Sequence, residues 1–247
     1  MNQSETSIRF GTDGWRAIMG SEYNDRNLKR LTQAFCDYAV SDKSRESDLI
    51  IVGYDRRENS QEFAETVSKI LLANQLRVVL SDQACPTPAV SRAVLNHKAY
   101  AGVVITASHN PGDYNGFKIK DSIGASAAPE TTRSIENLLD KNPLKISEDA
   151  DLLSVTQDIL TPYLTSIKEY LKMDCFKDAS FNVAVDSMHG IGSDFIAQIL
   201  AGTPIKITTF RSERDIHFGG NAPEPIAKNL KPLVEAMKSG NYDAGFA

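Results

Sequence analysis

Three absences narrow the reading. The 247 residues hold only three cysteines, Cys36, Cys85 and Cys175, far apart and with no Cys-x-x-Cys pair. That spacing excludes a disulfide framework and a four-ligand zinc site, and it points to a reducing compartment. Nowhere do about 18 consecutive apolar residues occur, and the opening MNQSETSIRF lacks the apolar centre of a signal peptide. No membrane association is expected, and a cytoplasmic location is. Basic residues never gather into runs, and 27 Lys and Arg stand against 32 Asp and Glu for a net charge of -5. Nucleic acid is therefore not an expected partner, because binding to a phosphate backbone leaves a basic patch or stripe. Internal repeats and low-complexity segments are missing as well.

What is there is an ordinary globular composition, 41% hydrophobic and 24% charged, enough to build a packed core. Short β-rich runs alternate with helical spacing. Leu28, Leu31, Phe35 and Tyr38 repeat at helical intervals behind Asn24 and Asp25. Strands are predicted at Leu49 to Gly53, Leu76 to Leu80 and Gly102 to Thr106. Between the first two, Phe63, Val67, Ile70 and Leu71 form one apolar face of a helix over Ser60 to Ala73, with Ser60 as its cap and Glu62 in its first turn. Such alternation predicts an α/β domain on a mainly parallel sheet.

A polar stretch, Lys141 to Thr156, marks the boundary between a first domain at 1–150 and a second at 151–247. In the second, helices are expected near Gln157 to Leu171 and Ile191 to Ala201, with strands at Phe181 to Asp186 and Ile205 to Phe210. The Pro-rich turn Asn221 to Pro225 then leads into a helix ending near Ser239, and Tyr242 to Ala247 reads as a final buried strand.

The densest chemistry lies in Thr106-Ala107-Ser108-His109-Asn110-Pro111-Gly112-Asp113-Tyr114-Asn115-Gly116-Phe117-Lys118. It is read as a loop that follows a strand and offers a hydroxyl, an imidazole, backbone N–H groups and a cation to an anion. Asn-Pro-Gly and Asn-Gly would also make a plain polar turn. A Ser-His-Asp hydrolase fits less well, because adjacent side chains rarely converge as nucleophile and base, and Gly-x-Ser-x-Gly is absent.

Thr106 to Pro111 followed by Asn115-Gly116-Phe117-Lys118 resembles the phosphoserine loop of the α-D-phosphohexomutases. Arg9-Phe10-Gly11-Thr12-Asp13-Gly14-Trp15-Arg16 is similar to the opening strand and active-site loop of the same enzymes. Gly53-Tyr54-Asp55-Arg56-Arg57 resembles a supporting segment of their first domain. Asp186 to Gly192 and Asn221 to Pro225 resemble turns of their second, where Asp186 and His189 are read as structural.

The resemblance implies two consecutive α/β/α domains with mainly parallel mixed sheets, the second incomplete. It also implies an intramolecular phosphotransferase that interconverts hexose 1-phosphate and hexose 6-phosphate, of glucose or mannose, through a hexose 1,6-bisphosphate. Ser108 would carry the phosphoryl group, Lys118 would shuttle a proton, Arg16 would supply fixed charge and His109 would support the site. Mg²⁺ is implied as cofactor, with Ser108 among its ligands and three Asp from an Asp-x-Asp-x-Asp loop. This sequence has no such loop, and Tyr242 to Ala247 resembles the strand that leads into it. The expectation is a chain that stops before the metal ligands and is inactive alone. The alternative is a short non-catalytic module that binds a phosphorylated ligand or a partner.

Overall fold

The computed structural model describes residues 8–247. Its elements run β1 (Trp15–Ile18), α1 (Asp25–Ser41), β2 (Leu49–Tyr54), α2 (Ser60–Ala73), β3 (Arg77–Ser81), α3 (Thr87–His97), β4 (Ala101–Ile105), β5 (Tyr114–Lys120) and α4 (Pro129–Asn137). They continue with β6 (Thr156–Gln157), α5 (Leu160–Tyr170), β7 (Asn182–Asp186), α6 (Phe195–Ile199), β8 (Lys206–Phe210), α7 (Lys231–Lys238) and β9 (Ala244–Phe246). The chain divides into two units. One takes the residues through Ser108 together with Asp113–Ile159, and the other takes His109–Gly112 with Leu160–Ala247.

The first unit is built on a six-stranded sheet of order β1-β5-β4-β2-β3-β6. β2 pairs in parallel with β3 and β4, and β3 with β6, while β5 runs antiparallel to both β4 and β1. One reversed strand thus makes the sheet mixed, as the α/β reading expects. Every residue of β2 and β4 is buried, which explains their unbroken apolar runs: a strand covered on both faces has no polar side to alternate with. On one face Ile50, Val52, Val103, Ile105 and Phe117 join Leu28, Leu31 and Phe35 of α1 and Val67, Ile70 and Leu71 of α2 in one core. Each such side chain, fully buried, contributes roughly 1.5–3 kcal/mol.

α3 packs against β2 and β4. The alternation of strand and helix expects a helix there but gives it no bounds, because the buried positions of α3 are the small residues Ala89, Val90, Ala93 and Val94, which give only a faint apolar stripe. α1 begins where Asn24 caps it by accepting from the Asn27 N–H at 2.9 Å. Ser60 does not cap α2. The cap position is Asn59, in the left-handed region and without a side-chain cap bond, and Ser60 is the first helical residue.

In the second unit β7 pairs in parallel with β8 and β9, giving a three-stranded sheet of order β8-β7-β9. The helix expected from Ile191 to Ala201 contracts to α6, because residues 191–194 form a turn in which Ser193 has a positive φ. The final strand is not buried. Among the described residues β9 pairs with β7 alone, at the edge of the sheet, and Phe246 is 55% exposed. Among the described residues no helix is long and apolar enough to cross a membrane.

Candidate phosphoryl-transfer site

Ser108 stands three residues beyond β4, after the buried Ala107, and is itself exposed. Its φ of 60° places it in the left-handed region, a conformation that costs an L-residue roughly 1–2 kcal/mol and persists only where neighbours enforce it. The neighbours are Asp55 and Arg57, just past the end of β2. The Ser108 N–H donates to Thr106 Oγ1 at 3.0 Å, and Thr106 Oγ1 donates to Asp55 Oδ2 at 2.5 Å. From the other side Arg57 Nη2 donates to the Ser108 carbonyl at 2.9 Å, and Arg57 Nη1 to the Tyr114 carbonyl at 3.1 Å. Both backbone polar groups of Ser108 are therefore held, and its hydroxyl is left to solvent.

Arg57 is the largest fully buried side chain. Burial pulls its pKa below the ordinary value, against the pull of Asp55, whose Oδ2 lies 3.3 Å from Nε. Asp55 is fixed in turn. Its Oδ1 accepts from the Arg57 N–H at 2.9 Å and from Ser60 Oγ at 2.8 Å, and Ser60 Oγ also accepts from Asn115 Nδ2 at 2.9 Å. This is the work of the hydroxyl that the sequence reading takes for a helix cap.

The stretch expected as a loop through Lys118 is a loop only to Asp113. From Tyr114 it is β5, whose alternation sends Phe117 and Ile119 to the α1 core and Gly116, Lys118 and Lys120 to the opposite face. Lys118 stands opposite Val104, and Arg16 opposite Gly116, so the two cations share that face. Gly116 is required here. A Cβ would lie 2.5 Å from the Thr106 carbonyl oxygen, 2.7 Å from that of Trp15 and 3.1 Å from Arg16 Cγ. At Gly14, with φ of 105°, a Cβ would meet Lys118 Cγ and the Phe117 carbonyl oxygen, each at 2.8 Å.

The closeness of that turn brings in Asp13, to which the sequence reading gives no role. Lys118 Nζ donates to Asp13 Oδ2 at 2.5 Å, and Arg16 Nη2 lies 3.7 Å from the same oxygen. Ser126 Oγ donates to Asp13 Oδ1 at 2.9 Å and accepts from Lys120 Nζ at 3.0 Å. Partial burial pushes the Asp13 carboxyl upward, but hydrogen bonds and charge from Lys118, with help from Ser126 and Lys120, hold it below the usual carboxylate range. Asp13 also lines a cleft of 460 Å³ with Arg9, Thr12, Arg133 and Glu136, and neither Ser108 nor Lys118 is among its walls.

Of the residues singled out from sequence, Lys118 and Arg16 meet at one carboxylate, while Ser108 is held separately by Asp55, Thr106 and Arg57. His109 is exposed and groups with the second unit. In that unit Asp186 forms a two-point pair with Arg211, at 2.8 and 2.6 Å, and the His189 N–H donates to the Arg211 carbonyl at 2.7 Å. These are structural bonds. Among the described residues no three His, Cys, Asp or Glu gather as a metal site. Ser108 and its described neighbours therefore do not by themselves make a complete Mg²⁺ site.

The family models agree with this architecture. Residues 7–145 match the phosphoglucomutase/phosphomannomutase alpha/beta/alpha domain I, and residues 161–247 match domain II. A phosphoglucomutase/phosphomannomutase of Thermococcus kodakarensis is 32% identical over 241 residues, 96% of this chain and 52% of that protein. A phosphoglucosamine/phosphogalactosamine mutase of Sulfurisphaera tokodaii is 29% identical, over 96% of this chain and 52% of its own. In crystal structures, a Thermus thermophilus protein bearing the name phosphomannomutase superposes with a TM-score of 0.84 at 33% identity, covering 94% of this chain and 52% of that one. The chain spans about half the length of the relatives it matches. With both halves of the sequence matched and the serine loop standing at the end of a parallel strand, the chain belongs to the phosphoglucomutase/phosphomannomutase family.

Proposed function

We propose that this chain carries the phosphoryl-transfer serine of a hexose-phosphate mutase. The observation that supports the reading best is Ser108 itself, exposed, in a left-handed conformation, with its N–H and carbonyl both engaged. A plain polar turn would not need a buried arginine to hold its carbonyl.

In the reaction, phospho-Ser108 gives its phosphoryl group to the free hydroxyl of a hexose phosphate. The P–O bond to Ser108 breaks, a P–O bond to the sugar forms, and the hydroxyl proton leaves as the serine oxygen becomes free to accept one. The resulting hexose 1,6-bisphosphate then returns the phosphoryl group of its other end to Ser108. Lys118 manages the proton and Arg16 stays cationic beside it, neutralising charge on phosphoryl oxygens. His109, exposed next to the carrier, serves as a hydrogen-bond donor to phosphate. Mg²⁺, when bound, would add charge neutralisation, with phospho-Ser108 supplying one oxygen and the carboxylates coming from outside the described clusters.

The substrate is a hexose 1-phosphate or 6-phosphate of glucose or mannose. The names of the relatives extend to glucosamine and galactosamine, which leaves the sugar to direct comparison of substrates. Net interconversion of hexose phosphates by these 247 residues alone is expected to be small, since they match about half the length of these relatives, whereas uptake of phosphate by Ser108 is the step they are proposed to carry. The central claim is tested by intact mass after incubation with glucose 1,6-bisphosphate. One added phosphate, absent in Ser108→Ala, is expected. The same mass change on incubation in both proteins, or none in either, would overturn the assignment.

A further inference from the structure

The Lys118 side chain is 6% exposed and its ammonium carries three N–H donors, one of which goes to Asp13 at 2.5 Å. A buried ammonium needs a counter-charge, and a flexible lysine stem needs an anchor if its end is to stay in one place. Asp13 is suited to both tasks because it is itself fixed. The turn that carries it is closed by the Gly11 N–H donating to the Gly14 carbonyl at 2.9 Å. Its Oδ1 is tied to Ser126, and Ser126 to Lys120. Arg16, 3.7 Å from Oδ2, is drawn toward the same carboxylate.

We propose that Asp13 is a positioning residue for phosphoryl transfer, holding the end of the Lys118 side chain in place, with Arg16 beside it, so that the remaining Lys118 donors are presented to the transferring group. This rests on the reading of Ser108 as carrier and Lys118 as its partner. The Asp13 carboxylate makes no contact with Ser108 and acts through Lys118.

The test is the rate at which Ser108 in the full chain takes phosphate from glucose 1,6-bisphosphate, followed by intact mass across a range of donor concentrations. Asp13→Asn keeps the shape of the side chain and removes its charge. It is expected to lower the saturated rate by about 10²-fold, the scale of a misplaced catalytic group, while the half-saturating donor concentration changes little. Asp13→Glu should recover part of the rate. Ser126→Ala, which leaves the carboxylate but frees its orientation, should lower the rate in the same direction by less, and it decides the matter if Asp13→Asn does not fold. A wild-type rate in Asp13→Asn, or in Ser126→Ala where that is the deciding variant, overturns the role of Asp13 and leaves Ser108 as carrier. Absence of uptake by the wild type overturns the carrier, and the role of Asp13 with it.

Discussion

Lys118 and Asp13 meet at 2.5 Å across 105 residues of chain. Pairing of β5 with β1 brings the two segments together, and the absence of a side chain at Gly14 allows the contact to be this short.

The pair has a pH signature. The Asp13 carboxyl is held below its ordinary value of 3.8 in the folded state, so the stability it contributes is present above that value. It is lost as pH falls from there through the lower folded value. Urea unfolding of wild type and Asp13→Asn at several pH values should show the wild-type advantage shrinking over that acid window. A difference that stays constant down to pH of about 2.5, below the unperturbed aspartate range, would mean that the charge of Asp13 contributes nothing.

Asp55 compensates a guanidinium that is 1% exposed. Asp55→Ala strands that charge and is expected to cost about 3–5 kcal/mol, as read from the midpoint and slope of urea unfolding. It also releases Thr106, so Ser108 should lose its left-handed constraint. Retention of wild-type stability would mean that water reaches Arg57.

Ser108→Gly and Ser108→Ala should both abolish phosphate uptake, yet differ in stability. Glycine adopts φ of 60° without penalty and alanine does not, so the glycine variant should be more stable than the alanine variant by about 1 kcal/mol. Equal melting temperatures would show that the backbone at this position relaxes.

Gly116→Ala places a methyl group against two backbone carbonyl oxygens, at 2.5 and 2.7 Å. Backbone cannot step aside as a flexible side chain would, and a loss of about 1–3 kcal/mol or more is expected. Hydrogen exchange should show it at the β1–β5 and β4–β5 pairings first.

Iodoacetamide at pH of about 8, below the ordinary thiol range, should modify Cys175 in the folded chain and spare the other two cysteines. Cys175 is exposed, while Cys36 and Cys85 are buried. Burial also pushes the Cys85 thiol up to about 11 and that of Cys36 higher still, leaving little thiolate. Labelling of Cys85 at the rate of Cys175 would contradict the packing of the first unit.

Much of the fold was legible because it rests on local regularities. The helical spacing of Phe63, Val67, Ile70 and Leu71 and the apolar runs of β2 and β4 follow from burial on one side or both. Elements whose signal is weak or non-local were not. The bounds of α3 hide behind alanines and valines, β5 looks like a loop because its asparagine and glycine are turn formers, and α6 loses residues to a turn that composition does not announce.

By itself the sequence determined the alternating α/β plan and marked out Ser108 and Lys118 as chemically notable, because periodicity and residue type are properties of neighbours along the chain, while Arg16 was marked out by the resemblance of its segment to the family. Only the tertiary structure decided that Asp13 would be the carboxylate between the two cations, and that Asp55 and Arg57 would hold the backbone of Ser108. Apart from Asp13 and Arg16, three positions apart, those contacts join residues some 50 to 105 positions apart, and their distances are set by strand order and register, which no short stretch of sequence contains.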